Sequence, residues 1–360
     1  MAGASEKLSP AFCCLLLNLL DYSPRRASLV NEARVNGEVI ARLTNHMNET
    51  EFDVIIVGAG PAGLSAALLL GRCRRRVLVC DGGQPRNAAS HGLHLFLTRD
   101  GIEPAQFLRI AREQLRPYDT VKLRSARVTD AKRLADGFEI VLKDQDSANA
   151  GANEERVSTR KLLLATGVRD TLPEIEGLPA FYGRSVFHCP YCDGWEMRDQ
   201  PLVAYGRGEN GLGLALEVSF WSRDLVLCTD GPSELSRADL ERLAERKIAV
   251  REDKIRRLEG TDANLERIVF EDGKALAVRG MFFTTSHSQS SNLAEKLGCT
   301  LTSEGCVDTG EYEITSVRGV YAAGDTSHLA QFVVVAAAEG AQAALAINKE
   351  LMKEDLARVE

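Results

Sequence analysis

The chain has 360 residues, 44% apolar and 26% charged, a globular composition long enough for two domains with cores of their own. A formal charge of −7, from 44 basic and 51 acidic side chains, speaks against a nucleic-acid binder, whose affinity rests on a cationic face. No run approaches the roughly 18 apolar residues of a membrane span. The nine cysteines, odd in number and scattered, suit a reducing cytoplasm better than a disulfide-stapled secreted scaffold, and outside one pair they read as small buried hydrophobes.

Residues 1–50 fit the rest poorly. The apolar stretch Ala11–Leu20 is broken by Asn18 and follows the acidic Glu6, without the basic start and small-residue cleavage site of a signal peptide. The expectation is a poorly ordered extension. Met47, five residues before the first strand, is a candidate later start, and the adjacent Cys13 and Cys14 do not suit a redox pair.

Phe52-Asp53-Val54-Ile55-Ile56-Val57 is a near-continuous apolar run, predicting a strand buried on both faces. Gly58-Ala59-Gly60-Pro61-Ala62-Gly63 follows, then an Ala/Leu-rich helix to about Arg72, then a strand, Arg76–Cys80, ending at Asp81. This is a βαβ unit with the dinucleotide fingerprint, its acid eighteen residues past the last glycine. Gly58 permits the tight turn, Gly60 lets backbone approach a pyrophosphate, Gly63 lets helix and strand pack closely, and Asp81 accepts from ribose hydroxyls. The helix N-terminus presents its positive dipole end to the phosphates.

The loop from Gly82 to Asp100 carries Arg86, Asn87, His91 and His94. A helix is expected over Pro104–Leu115, strands over Val121–Thr129 and Gly137–Leu142, a surface hairpin loop over Asp144–Glu155, and a strand over Arg160–Leu164 ending in Ala165-Thr166-Gly167. Residues 188–195 then read His-Cys-Pro-Tyr-Cys-Asp-Gly-Trp. A Cys-x-x-Cys pair closes a readily opened disulfide or contributes half of a zinc site, and no second Cys/His pair follows at zinc spacing. Asp193, directly behind the second sulfur, suits a proton carrier for thiol chemistry, and His188 is placed to lower the Cys189 thiol pKa or simply to pack.

A second strand–turn–helix follows: Pro201–Tyr205, a turn with Gly206, Gly208 and Gly211, a helix over Leu212–Ser222, and a strand, Leu225–Cys228, leading to Asp230. Gly58 to Asp81 spans 23 positions and Gly206 to Asp230 spans 24, an internal echo that implies two related dinucleotide-binding units. Near the end lie a strand, Met281–Phe283, the strand and turn Gly319–Asp325, and an alanine-rich helix from Val333 to Lys349, its small residues suited to close packing. His287 and His328 read as turn residues, and no cluster has metal-site spacing.

With Val57–Gly63, Ala165-Thr166-Gly167, Cys189-Pro190-Tyr191-Cys192-Asp193-Gly194 and Ala323-Gly324-Asp325 in this order, the chain resembles the low-molecular-weight thioredoxin reductase family of flavin-dependent pyridine-nucleotide disulfide oxidoreductases, over roughly Glu51–Leu351. The resemblance implies an α/β fold of two Rossmann-like domains. Residues 51–170 and 287–360 would form an FAD domain split by an inserted NAD(P)-binding-like domain, 171–286, that carries the dithiol. It implies that Gly58, Gly60, Pro61, Ala62, Gly63, Asp81, Gly82, Arg86, Asn87, Val128, Thr166, Gly167, Gly324 and Asp325 hold FAD, Asp325 on the ribityl chain, with Gln331 and Phe332 at the flavin ring. A contact from His91 or His94 to the ring follows from the same likeness. Cys192 would face the flavin, Cys189 a partner disulfide, and Asp193 would relay the proton.

The resemblance further implies a homodimer, a cytoplasmic setting, and a thioredoxin-like protein or small-molecule disulfide or dithiol as partner. Two departures matter. Members using NADPH place arginines after the second domain's second strand, whereas Cys228-Thr229-Asp230-Gly231-Pro232 has no cation and an acid. Gly206, Gly208, Gly211 and Asp230 would then favour NADH over NADPH, or no nicotinamide. The Cys-Pro-Tyr-Cys-x-Gly-x-Glu pattern, ending at Glu196, is also similar to oxygen-using dithiol oxidases, in which a histidine often replaces the acid that Asp193 retains here. A redox sensor in which the dithiol gates a partner surface is the non-enzymatic alternative, with only the N-terminal extension to support it.

Overall fold

The computed structural model describes residues 51–144, 154–328 and 330–358. The expected N-terminal extension, with Met47, Cys13 and Cys14, lies outside them, as does the tip of the 144–155 loop.

Strand β1 (Phe52–Val57) is buried at every position and lies between β2 (Val77–Asp81) and β5 (Glu154–Leu164), parallel to both. Its alternating side chains serve two cores: Val54 and Ile56 join one cluster, Ile55 and Val57 another. The first cluster is closed by helix α1 (Pro61–Arg72), begun by proline, which lacks the N–H that a first helical turn leaves unpaired. Each fully buried aliphatic side chain here stabilises the fold by roughly 1.5–3 kcal/mol.

The first sheet combines two patterns. The N-terminal half of β3 (Val121–Leu134) continues the parallel order beside β2, and its C-terminal half turns antiparallel to β4 (Gly137–Asp144). The latter also pairs antiparallel with the start of β5. The β5 strand therefore begins at Glu154, six residues earlier than its apolar run suggests, because its first half is a hairpin arm against β4, exposed over residues 154–156. Beyond β5 the parallel sheet is completed by β16 (Val320–Ala322), a strand from near the end of the chain.

The middle of the chain builds a second, all-parallel sheet in the order β10 (Ala249–Arg251), β9 (Leu225–Cys228), β8 (Leu202–Tyr205), β14 (Gly280–Phe283) and β7 (Val186–Phe187). The chain crosses between the two sheets twice, through β6 (Val168–Asp170) and β15 (His287–Gln289), which pair antiparallel with His287 opposite Asp170. An antiparallel sheet of β11 (Ile255–Thr261), β12 (Asn264–Phe270) and β13 (Ala275–Ala277) adjoins the second core, with no counterpart among the sequence expectations.

Helix α2 (Pro104–Glu113) follows the long loop after β2, and α3 (Pro190–Asp193) is a single turn. Helix α4 (Gly208–Val218) starts earlier than the expected Leu212, and α5 (Arg237–Glu245) opens with a capping box at Ser236 and Asp239. The last helix, α6 (Val333–Ala357), runs past the expected Lys349. Its small residues answer a close helix contact: a Cβ on Gly340 would lie 2.0 Å from the Ala62 carbonyl oxygen. Cys80, Cys228, Cys299 and Cys306 are buried as expected, whereas Cys73 is exposed.

Candidate functional site

The first glycine turn is held by backbone contacts that leave no room for side chains. Gly58 has φ +111°, and a Cβ there would stand 2.1 Å from the Ala165 carbonyl oxygen; one on Gly63 would stand 1.9 Å from that of Gly58. Gly60 and Gly167 differ, since a Cβ at either would meet nothing within 4 Å. Both face open space.

That space is a cavity of about 810 Å³. Gly58, Gly60, Pro61, Ala62, Asp81, Gly82, Arg86, Asn87, Val128, Thr166, Gly167, Gly324, Asp325, Gln331 and Phe332 all line it, and Gly63 packs behind. At one end Asp81 accepts from the Gly83 N–H at 2.8 Å and from Arg112 at 2.5 Å. Beside the lining residue Gly167, the Thr326 hydroxyl accepts from the Gly167 N–H at 2.7 Å, tying the end of β5 to the turn after β16. The Gly324 N–H donates to buried Glu339, 2.7 Å away.

The dithiol meets the same cavity. Cys189 and Cys192 are joined as a disulfide across 5.3 Å between Cα atoms. Cys189 caps α3, its sulfur accepting from the Cys192 N–H at 3.2 Å. Cys192 and Asp193 line the cavity, and Cys189 is not among its lining residues. Burial, with the nearby Glu196 charge adding to it, pushes the Asp193 carboxyl up to about 7. His94 also lines the cavity and approaches Glu196 at 3.6 Å, whereas His91 is not among the lining residues.

Arg86 joins these parts. Its Nε and one terminal nitrogen hold both oxygens of Asp170, at 2.9 and 2.5 Å. The other terminal nitrogen reaches Asp325 at 3.0 Å and the Gln331 carbonyl oxygen at 2.6 Å. A fifth contact, 3.4 Å long, goes to His188 Nε2. The Tyr182 hydroxyl lies 2.9 Å from Asp170 and 3.1 Å from His188 Nδ1. Burial alone raises the Asp170 carboxyl, but the hydrogen bonds and charge of Arg86, with His188 and Tyr182 adding to them, override it and hold the group below the usual range. Burial holds His188 below the ordinary histidine value, assisted by Arg86 and opposed by Asp170 and Asp325.

Asp170 and Tyr182 were not legible as site residues, because neither stands in a motif. His287, expected to be a turn residue, opens β15 with Nε2 3.4 Å from the Gln331 amide nitrogen. His328 lies 3.4 Å from Glu313 and 3.7 Å from Glu339, three residues whose chain spacing does not announce that they meet.

The second glycine turn is also formed. A Cβ on Gly206 would be 3.0 Å from Gly211 Cα, one on Gly211 would be 2.4 Å from the Gly206 oxygen, and Gly208 has φ +53°. Neither these residues nor Asp230 line the 810 Å³ cavity. The 228–232 stretch carries no cation, yet one is supplied from the turn itself. Arg207 folds onto the strand end, donating to the backbone oxygens of Thr229, at 2.6 Å, and Asp230.

Residues 52–340 match the family described as pyridine nucleotide-disulphide oxidoreductase. A probable thioredoxin reductase of Arthroderma benhamiae is 36% identical over 185 residues, which cover 51% of this chain and 45% of that one. Thioredoxin reductase tcpT of Claviceps purpurea is 33% identical over 312 residues, 83% of this chain and 94% of its own. The crystal structure of a putative thioredoxin reductase TrxB from Bacillus anthracis superposes with a TM-score of 0.77 at 34% identity, covering 84% of this chain and 99% of that one. With a family match that spans both glycine turns and the dithiol, the chain belongs to the pyridine nucleotide-disulphide oxidoreductases and is a flavin-dependent oxidoreductase of the thioredoxin reductase type.

Proposed function

We propose that the chain passes electron pairs between NAD(P)H, FAD and the Cys189–Cys192 dithiol, and from the dithiol to a disulfide of a thioredoxin-like protein or a small molecule. One observation carries this reading: the inner sulfur and the carboxyl beside it open onto the cavity that the dinucleotide turn also lines. In this reading residues 51–170 and 287–360 are the FAD part and 171–286 the nucleotide-type part. The family likeness supports a homodimer in the cytoplasm. No described helix is long and apolar enough to cross a membrane.

The cavity residues fit FAD. Gly60 and Gly167 bare their backbone toward open space, and Asp81, Asp325 and Gln331 place hydrogen-bonding groups along its length. When bound, FAD supplies a site that takes up and releases the electron pair. The protein's part is thiol chemistry. Reducing the disulfide breaks the S–S bond with two electrons and two protons and leaves two thiols. Cys189, as thiolate, then attacks a sulfur of the substrate disulfide, forming a mixed disulfide and expelling one substrate thiolate. Cys192, deprotonated in turn, attacks Cys189 and releases the second thiolate. Asp193, poised near neutrality, takes and returns the proton.

A second reading, oxygen-using oxidation of a small-molecule dithiol, runs these steps backwards. It is favoured by Asp230, one of whose carboxylate oxygens is already taken by the Ile255 N–H at 2.7 Å and so is less available to a coenzyme ribose. Anaerobic titration with NADH, NADPH and dithiols, following the flavin absorption band, tests the proposal. Reduction of the flavin by a nicotinamide supports the reductase direction; reduction by a dithiol alone, followed by oxygen uptake once air is admitted, supports the oxidase. Full activity after replacing both cysteines with serine would overturn both.

A further inference from the structure

Histidine 188 precedes Cys189, where a histidine is readily taken for the thiol's base. Its hydrogen bonds oppose that role. A guanidinium has five N–H groups and no acceptor, and Arg86 places its five on five acceptors: two Asp170 oxygens, Asp325, Gln331 and His188 Nε2. Its side chain is only 16% exposed, so the set is shielded from solvent.

An arginine can only donate. His188 Nε2 therefore accepts, and a ring whose Nε2 accepts carries its hydrogen on Nδ1. Nδ1–H then donates to the Tyr182 hydroxyl, which passes its own hydrogen to Asp170. Every group in the chain from His188 through Tyr182 to Asp170 has one consistent direction, and Arg86 closes the ring at both ends. The charged and titratable groups acting on the imidazole are Arg86, Asp170, Asp325 and Tyr182.

We propose that Arg86 is a positioning residue that holds His188 as the neutral Nδ1–H tautomer, with Nε2 occupied, so that this histidine anchors the dithiol segment and does not trade protons with Cys189. Proton exchange then falls to Asp193 on the opposite flank of the pair. The proposal rests on the dithiol reading only for that last consequence. The tautomer stands whether or not the dithiol turns over.

The test is nitrogen-15 NMR of the flavin-loaded enzyme with labelled histidine. The chain has six histidines, and His188→Gln removes one signal set and so assigns it. The expected result is an Nδ1–H pattern that stays neutral between about pH 6 and pH 8. An Nε2–H pattern, or a cationic ring at neutral pH, overturns the proposal, and this measurement needs no altered Arg86. Arg86→Gln should then shift the pattern toward Nε2–H. It should also add, to the pH profile of cysteine alkylation in reduced enzyme, an ionisation near the ordinary histidine value of about 6.5. That ionisation should vanish in the Arg86→Gln, His188→Gln double variant. An Arg86→Gln protein whose tautomer and alkylation profile match the parent also overturns the proposal.

Discussion

The Arg207 guanidinium stands 3.8 Å from Asp230 Oδ2 at the mouth of the second glycine turn, so the corner where a coenzyme ribose would lie holds an anion and a cation together. The carboxylate repels a 2′-phosphate, and the guanidinium attracts one. If the NADH preference expected from the sequence holds, the acid dominates. Asp230→Asn, which keeps an acceptor for Ile255, should raise the NADPH-to-NADH ratio of kcat/KM for flavin reduction about tenfold, equivalent to about 1.4 kcal/mol. Arg207→Ala should lower it. Rapid-reaction measurement with both coenzymes decides, and a ratio unmoved by Asp230→Asn removes Asp230 from coenzyme selection.

The two sulfurs should be separable by trapping. Cys192 lines the cavity and Cys189 does not, so the outer sulfur is the one proposed to attack substrate. Incubated with a small aromatic disulfide, reduced Cys192→Ser should accumulate a mixed disulfide at residue 189, because nothing resolves it. Reduced Cys189→Ser should accumulate far less at residue 192. Intact-mass spectrometry reads both, and equal adducts would reverse or erase the assignment.

The two βαβ units were legible because their chemistry is local. A buried apolar strand, a glycine turn and an acid at the next strand's end all fall within about 30 positions, and the structure forms both turns. What escaped depends on long-range pairing. Asp170 and Tyr182 matter through Arg86, 84 positions from Asp170 in the chain. The start of β5 escaped because Glu154, Glu155 and Arg156 are three consecutive exposed charged residues with no strand periodicity. Arg207 was visible as a residue, but nothing in local spacing says that its side chain folds back over Thr229 and Asp230.

Lys161 should be a keystone between the first sheet and the last helix. It is buried within β5, with Nζ 2.7 Å from Glu350 and 2.5 Å from Glu354, both on α6. Glu354 also binds Arg160 at 2.8 Å, and Glu350 binds the Tyr321 hydroxyl at 2.5 Å. Lys161→Met removes the cation and leaves carboxylates against an apolar side chain, which should cost about 3 kcal/mol in urea unfolding. Adding Glu350→Gln should recover part of that loss. A single variant as stable as the parent would show that α6 is held by its apolar face alone.

Asp193 should control both rate and stability with pH. Removing a general acid–base group typically costs about 10²–10⁴-fold, so Asp193→Asn should lower turnover by that order and erase the ionisation near 7 from the rate profile. The stability effect runs the other way. The folded carboxyl titrates near 7 against a reference of 3.8, so the fold binds this proton more tightly than the unfolded chain does. Its penalty is absent below the reference value, grows as pH rises toward 7 and is constant above. Asp193→Asn should therefore raise the melting temperature of the oxidised enzyme at pH about 8 and change it little at pH about 4. A variant that is slower but no more stable at alkaline pH would mean that the carboxyl is not held in its raised state by burial.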